Sequence, residues 1–275
     1  MADLRVLVAL ARAEQDRFAR LAVGTAETAG RLWDRYGPVS DLTLAAWQAQ
    51  TVPLVVAAQN VAAVQRIGYL TAYSNLSGVP TRAPAIDVAA LVADARNGTP
   101  AATVYARPTI TARKALSEGR TIDEALKVGR ARLLSTVSDD VMLAARAAEH
   151  ETMLSFPHVV GYRRVPNAGA CKLCLAASTQ RYHVRDLRPC HGNCRCSVAP
   201  IVGTEDPGHI LNRDLHAQLK QQGVIDDLTA RKRGDVRFGG PRSATERDLP
   251  RVAVHEHGEL GPTLTNAGDH WTGPL

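Results

Sequence analysis

The chain has 275 residues, 45% hydrophobic and 22% charged, with a formal charge of +6. This is ordinary soluble globular composition, with room for one to three domains. Aromatics are only 4% while Ala is abundant, which favours helices packed closely through small side chains over a large sheet core.

From Asp3 to about Trp33, Leu4, Leu7, Val8, Ala11, Phe18, Leu21 and Ala22 recur at helical spacing, and Gly37-Pro38 stops the run. Ser40 or Asp41 is suited to cap a second helix from Leu42 to about Tyr73, with Pro53 either kinking it or marking its start. No charge occurs between Asp41 and Arg66, but Gln48, Gln50, Gln59 and Asn60 interrupt the stretch, so a buried helix is expected and no membrane partner. Nothing resembles a secretory signal, which places the cysteines in a reducing cytoplasm.

A loop at 75–80 and a short helix over 86–96 follow. Pro108 suits the first turn of a helix ending before Gly119. Thr121-Ile-Asp-Glu124 has the form of a capping box, and Ser138 is placed to cap a further helix over 139–154. From Phe156-Pro157 the character becomes β-prone, with strands expected at 158–165, 180–184 and 197–201. Beyond Gly203, Ile210, Leu211, Leu215 and Leu219 share one face of a helix over 207–222. A charged loop at 231–247, a strand at 251–255 and an extended end complete the chain.

The expected fold class is α+β: a mostly α-helical N-terminal part, a small zinc-stabilised β module, and an extended C-terminal tail. The divisions are a helical region at 1–105, a domain at 106–204 (helices over 108–155, β module over 156–204), and a C-terminal helix and tail at 205–275.

The most specific local chemistry lies in CKLCLAASTQRYHVRDLRPCHGNCRC, Cys171 to Cys196, which holds all five cysteines. Two thiolate-bearing turns separated by a short excursion suit a closed tetrahedral zinc site. Ligand atoms in such a site lie about 3.8 Å apart, which a C-x-x-C turn achieves. Residues two apart on a strand have roots about 6.6 Å apart, which disfavours Cys194 and Cys196 binding one ion together. The first-choice ligands are therefore Cys171, Cys174, His191 and Cys194, with Cys196 in reserve and His183 and Cys190 as outsiders. Buried thiols without metal, and a disulfide, are the competing readings. A catalytic zinc is disfavoured because only Asp186 is acidic between Arg163 and Pro200.

Residues 156–204 carry 7 Lys/Arg against one Asp/Glu. Arg163, Arg164, Arg181, Arg185, Arg188 and Arg195 surround the proposed metal, and Arg231-Lys-Arg233 adds a basic run. Such groups could bind phosphate without sequence preference; a solvated face is the plainer reading. There is no G-x-S-x-G, and His255-Glu-His-Gly-Glu259 is not H-E-x-x-H. Dispersed Ser, His and Asp could still assemble in space.

The order Cys171-Lys-Leu-Cys174, then His191-Gly-Asn-Cys194-Arg195-Cys196-Ser-Val-Ala-Pro200, resembles the Mu F-like head morphogenesis family, minor capsid proteins of tailed phages. Ala115, Leu116, Gly119, Ala125, Leu126 and Gly129 fit that family's helical stretch. The tail VHEHGELGPTLTNAGDHWTG is similar to versions from phages of actinobacteria. Cys190 departs from the pattern and leaves the ligand choice open. The resemblance implies a few-copy virion protein of the head near the portal, present in the host cytoplasm during assembly. Portal protein is the implied partner, with major capsid or scaffold protein and packaged DNA as further ones. It also brings the label capsid maturation protease, which no residue constellation here supports; a zinc-containing DNA-binding or nuclease module is the other alternative.

Overall fold

The computed structural model describes residues 3–167, 170, 174, 177–178, 181–187, 195–203, 206–208, and the backbone of 252–257 and 261–266. The first helix, α1 (Leu4–Tyr36), is capped by the Asp3 carboxylate, which accepts from the Arg5 amide, and ends at Gly37 in the left-handed region, φ 50°. Ser40 and Thr43 form a capping box at the start of α2 (Asp41–Leu76). A short α3 (Val88–Ala93) and α4 (Ala101–Ser117) follow. Thr121 and Glu124 close the expected capping box on α5 (Ile122–Leu154).

Of the two alternatives for Pro53, a helix start is ruled out: α2 runs through it, with Trp47, Thr51 and Val55 on either side buried. Two helix boundaries differ from expectation, and tertiary packing explains each. Pro108 lies inside α4, which begins two turns earlier at Ala101. No helix starts at Ser138: α5 is continuous over 33 residues, and Ser138 is buried within it. An interior proline costs one backbone hydrogen bond, a loss that burial of the flanking residues offsets.

The four-residue connection at 37–40 turns α2 back against α1. Helix α5 runs alongside α2 and antiparallel to α1, since Trp33 meets Leu126 at one end and Leu7 shares a cluster with Met153 at the other. Apolar contacts fall into three zones along this bundle. At one end Trp33 and Trp47 pack edge to face, centroids 5.4 Å apart at 89°, and Tyr105 tilts against Trp47 at 6.3 Å. In the middle Ala22, Ala58, Ala62 and Ala145 surround Phe18 and Met142. At the far end Leu7, Val8, Tyr69, Leu70 and Met153 meet the sheet.

That sheet pairs β1 (Val159–Val165) antiparallel with β2 (Ser197–Val202), from Val165↔Ser197 to Val159↔Val202, with an irregularity at Gly161. The strand expected at 180–184 is reduced to a bridge, Tyr182 to Tyr162, followed by a 3₁₀ turn, Val184–Asp186. A Cβ on Gly161 would lie 2.7 Å from the Tyr182 carbonyl, so the bridge requires glycine there. The described residues of 156–204 thus pack on the bundle. Their apolar face is part of the bundle's core, and the boundary expected at 105/106 falls inside α4. A hairpin, β3 (Val252–His257) with β4 (Gly261–Asn266), bears out the expected strand near 251–255. The helix over 207–222 and the loop over 231–247 lie outside the described residues, apart from 207 and 208.

Gly129 sets how closely α4 approaches α5. A Cβ there would lie 2.6 Å from the Trp33 ring and 2.8 Å from the Pro108 carbonyl oxygen. Gly-to-Ala in a helix interior ordinarily stabilises by about 1 kcal/mol. Here Gly129→Ala is expected to destabilise by about 1–3 kcal/mol through overpacking, read by urea denaturation; unchanged or raised stability would contradict the contact.

Candidate functional site

Where the helices meet the sheet, buried charges and the cysteine segment lie on two sides of one joint. Arg66 on α2 is 1% exposed. Its Nη1 lies 3.6 Å from Glu14 Oε1 on α1 and its Nε 3.3 Å from Glu149 Oε1 on α5. Its guanidinium sits 4.2 Å above the Phe18 ring centroid. These are ion pairs without hydrogen-bond alignment at those atoms. Burial pushes the Glu149 carboxyl up, opposed by Arg66, Arg146 and Arg164. Glu14 is also raised, again by burial first, against Arg66 and Arg17.

Three polar contacts fasten β2 and the residues before it to the helices. The Tyr69 hydroxyl donates to the Val198 carbonyl at 2.9 Å. The Gln15 side-chain amide donates to the Arg195 carbonyl, and Arg195 Nε donates to Ser138 Oγ at 3.2 Å. Tyr162 and Tyr182 stack at 5.1 Å, and Arg164, 1% exposed, lies 5.1 Å from the Tyr182 ring centroid. Arginine is suited to this position because its planar, weakly hydrated cation stacks on aromatic faces.

Of the expected metal ligands, Cys171, His191 and Cys194 lie outside the described residues, as does the outsider Cys190. Cys174 and Cys196 are both buried and pack in one cluster with Ala177, beside Ala170 and Tyr182. The Tyr182 hydroxyl donates to the Ala177 carbonyl at 2.8 Å, tying this cluster to the β1 bridge. Cys174, a first-choice ligand, thus shares one apolar cluster with the reserve residue, Cys196. Cysteine pairs of this kind suit a soft divalent ion such as zinc. Among the described residues no group of three or more His, Cys, Asp or Glu side chains is placed to hold a metal. His183 instead accepts from the Arg185 amide through Nδ1 at 3.3 Å.

The arginines expected on one phosphate-facing surface are divided. Arg164 is buried, a correction to its placement on a solvated face, because its stack with Tyr182 and the acidic interior draws it inward. Arg163 is partly buried and donates through Nε and Nη2 to the Asp206 carboxylate at 2.9 and 2.7 Å. Arg195 is half-buried in the clamp just described. Arg181 and Arg185 are exposed, and Arg188 lies outside the described residues, as does the run at 231–233.

One serine and one histidine assemble: His158 Nε2 and Ser74 Oγ share a hydrogen bond at 3.0 Å. Ser74 is 0% exposed, so a substrate carbonyl has no approach to its hydroxyl. The His158 ring stacks on Phe156, and desolvation lowers its pKa from the ordinary value. The pair reads as a buried lock between α2 and the start of the sheet, not as a nucleophile and its base.

Sequence reasoning missed a second polar centre. The Asp140 carboxylate accepts from Arg96 and from the Tyr105 hydroxyl at the floor of a cavity of about 360 Å³, lined also by Val56, Gln59, Val92 and Val104. Burial, then the neighbouring Asp140 carboxylate, hold the Tyr105 phenol well above its usual range, so it stays a donor. Asp140 falls in the first turn of the helix expected over 139–154; it lies inside the continuous α5 and is buried. No helix among the described residues is long and apolar enough to cross a membrane.

Arg66→Met would leave Glu14 and Glu149 without their central cation, with an expected loss of about 3–5 kcal/mol in equilibrium denaturation. The pH response follows from the raised Glu149 pKa. Above 4.5 the unfolded chain releases a proton that the native chain retains. This group's contribution is therefore full below 4.5 and is lost as pH rises through the folded value. In Glu149→Gln that component should vanish, and a variant retaining the wild-type pH slope would contradict the assignment.

A family model described as VG15 protein matches residues 5–210 of the chain. No curated protein and no solved structure matches it.

Proposed function

The chain belongs to the VG15 protein family, a phage-related viral gene protein family, and on that premise we propose that it is a minor capsid protein acting in head morphogenesis beside the portal. Family membership points to a phage virion-associated protein. The observation that supports the finer reading is that the family match spans the bundle and the sheet together, up to the residues following β2. The Mu F-like resemblance of Cys171–Pro200 falls inside this range.

In this reading the helical bundle is a rigid body that docks on portal or inner-shell protein, and the cysteine segment shapes one end of it. Zinc is the proposed structural ion. Cys174 and Cys196 are two of its ligands, with Cys171 and His191 supplying the others and Cys194 as the alternative to Cys196. When bound, the ion would cross-link the two halves of the motif. The chain's own groups do the rest: Tyr182 and Arg164 hold the segment on β1, and Arg195 holds it on α1 and α5. Proteolysis is the weaker reading, because the Ser–His pair that forms is sealed. Contact with packaged DNA would fall to the exposed Arg181 and Arg185.

Co-purification with portal protein, with a metal count on the same sample, tests this. The wild-type chain is expected to carry equimolar zinc and to enter heads with portal. Cys174→Ser should lose the zinc and reduce incorporation. A chain that is folded and zinc-free in the wild type, or that never co-purifies with portal, would overturn the respective half of the proposal.

A further inference from the structure

The cavity above Asp140 plays no part in the head-protein reading. It lies between α2, α4 and α5 and is covered by α3 and the turn that follows it. That cover is lightly held. Helix α3 buries one residue, Val92, and Arg96 ties the turn to α5 through the Asp140 carboxylate and the Thr136 carbonyl at 3.4 Å. The volume, about 360 Å³, is more than twice the roughly 150 Å³ that admits benzene to an apolar core, and it falls in the ordinary range of small-ligand sites.

The lining says what would fit. Val56, Val92, Ala93 and Val104 supply aliphatic surface. The polar lining is one connected group whose donors are turned towards the protein. The Tyr105 hydroxyl and Arg96 Nε donate to the Asp140 carboxylate. Gln59 Nε2 donates to the Asp140 carbonyl at 3.3 Å, and Asn60 Nδ2 to the Val56 carbonyl at 2.8 Å. These two bonds fix which way each carboxamide points. Among the described residues neither amide oxygen accepts a hydrogen bond, although Gln59 is only 7% exposed and both residues line the cavity. A buried acceptor in that state calls for a donor.

Charge narrows the class further. Asp140 and Arg96 already match each other, so an ammonium brought to the floor would face Arg96 and a carboxylate would face Asp140. Either would have to break a buried ion pair to enter, which costs several kcal/mol. We propose that this cavity is a binding site for a neutral, mainly apolar group of one or two rings bearing an N–H or O–H donor, the chemistry of an indole or a phenol. The donor bonds the Gln59 or Asn60 oxygen, and the ring lies against the valines. Two sources present such a group: a free small molecule, and a Trp or Tyr side chain of a bound protein.

Indole and indene, titrated calorimetrically into the full chain, test this, because indene has nearly the same shape and no N–H. Indole should bind at one site per chain and slow hydrogen exchange over residues 88–99. Indene should bind about tenfold more weakly, the loss of one hydrogen bond. Ala93→Phe, at an exposed position on the cavity wall, should abolish binding of both while leaving the circular-dichroism spectrum unchanged. Gln59→Leu should bring indole down to the level of indene; if that variant does not fold, the two ligands compared on the wild type still decide. N-acetyl-tryptophanamide separates the sources: binding as tight as that of indole upholds the site as one for a protein side chain, and its exclusion while indole binds upholds it as one for a free molecule. No saturable indole binding, equal affinity for indole and indene, or binding that survives Ala93→Phe would each overturn the proposal.

Discussion

Burying Arg66 constrains the rest of this structure. A guanidinium removed from water is tolerable only with carboxylates beside it, and the two that serve come from different helices, Glu14 on α1 and Glu149 on α5. One cation therefore fixes the relative rotation of three helices at the level of Phe18. Glu149 also feels Arg146 and Arg164, and Arg164 belongs to β1, so the same field reaches the sheet. An apolar core of Ala, Val and Leu could pack in several registers; paired charges of this kind are satisfied in few. We read the cluster as the device that selects one register.

This arrangement changes the account of the cysteine-rich segment. Taken alone, residues 156–204 have too few large apolar groups to fold without a metal. In the structure the described ones among them pack on the helices. Tyr162, Val165, Val198 and Val202 complete a core begun by Leu7, Leu70 and Met153. Tyr69, Gln15 and Ser138 then fasten β2 and Arg195 by hydrogen bonds. In the proposed function, an ion would trim and stiffen the excursion between Cys174 and Cys196, on a sheet the helices already hold.

Much of the helical frame was legible because it is written in local chemistry. Asp3, Ser40 and Thr121 announce helix starts through their own side chains, and Gly37 announces a stop. Both strands of the small sheet were legible as β-branched runs. The errors share one cause: the deciding forces are distant in sequence. Pro108 looks like a boundary and Ser138 like a cap, but neighbours far along the chain hold those helices continuous. Arg164 looks like surface, and its inward turn depends on Tyr182 and on Glu149. Cys196 was legible only as a reserve ligand, since strand spacing speaks about Cys194 and Cys196 together and says nothing of the apolar cluster Cys196 shares with Cys174.

The central claim is that bundle and sheet form one cooperative unit joined through the buried charges. Native-state hydrogen exchange tests it most directly, comparing amides of β1 and β2 with those of the middle of α1, α2 and α5. The slowest amides of sheet and helices are expected to exchange with the same free energy, which falls together in both when Arg66 is replaced. Sheet amides that open at much lower free energy than the helices, and are indifferent to Arg66, would contradict it.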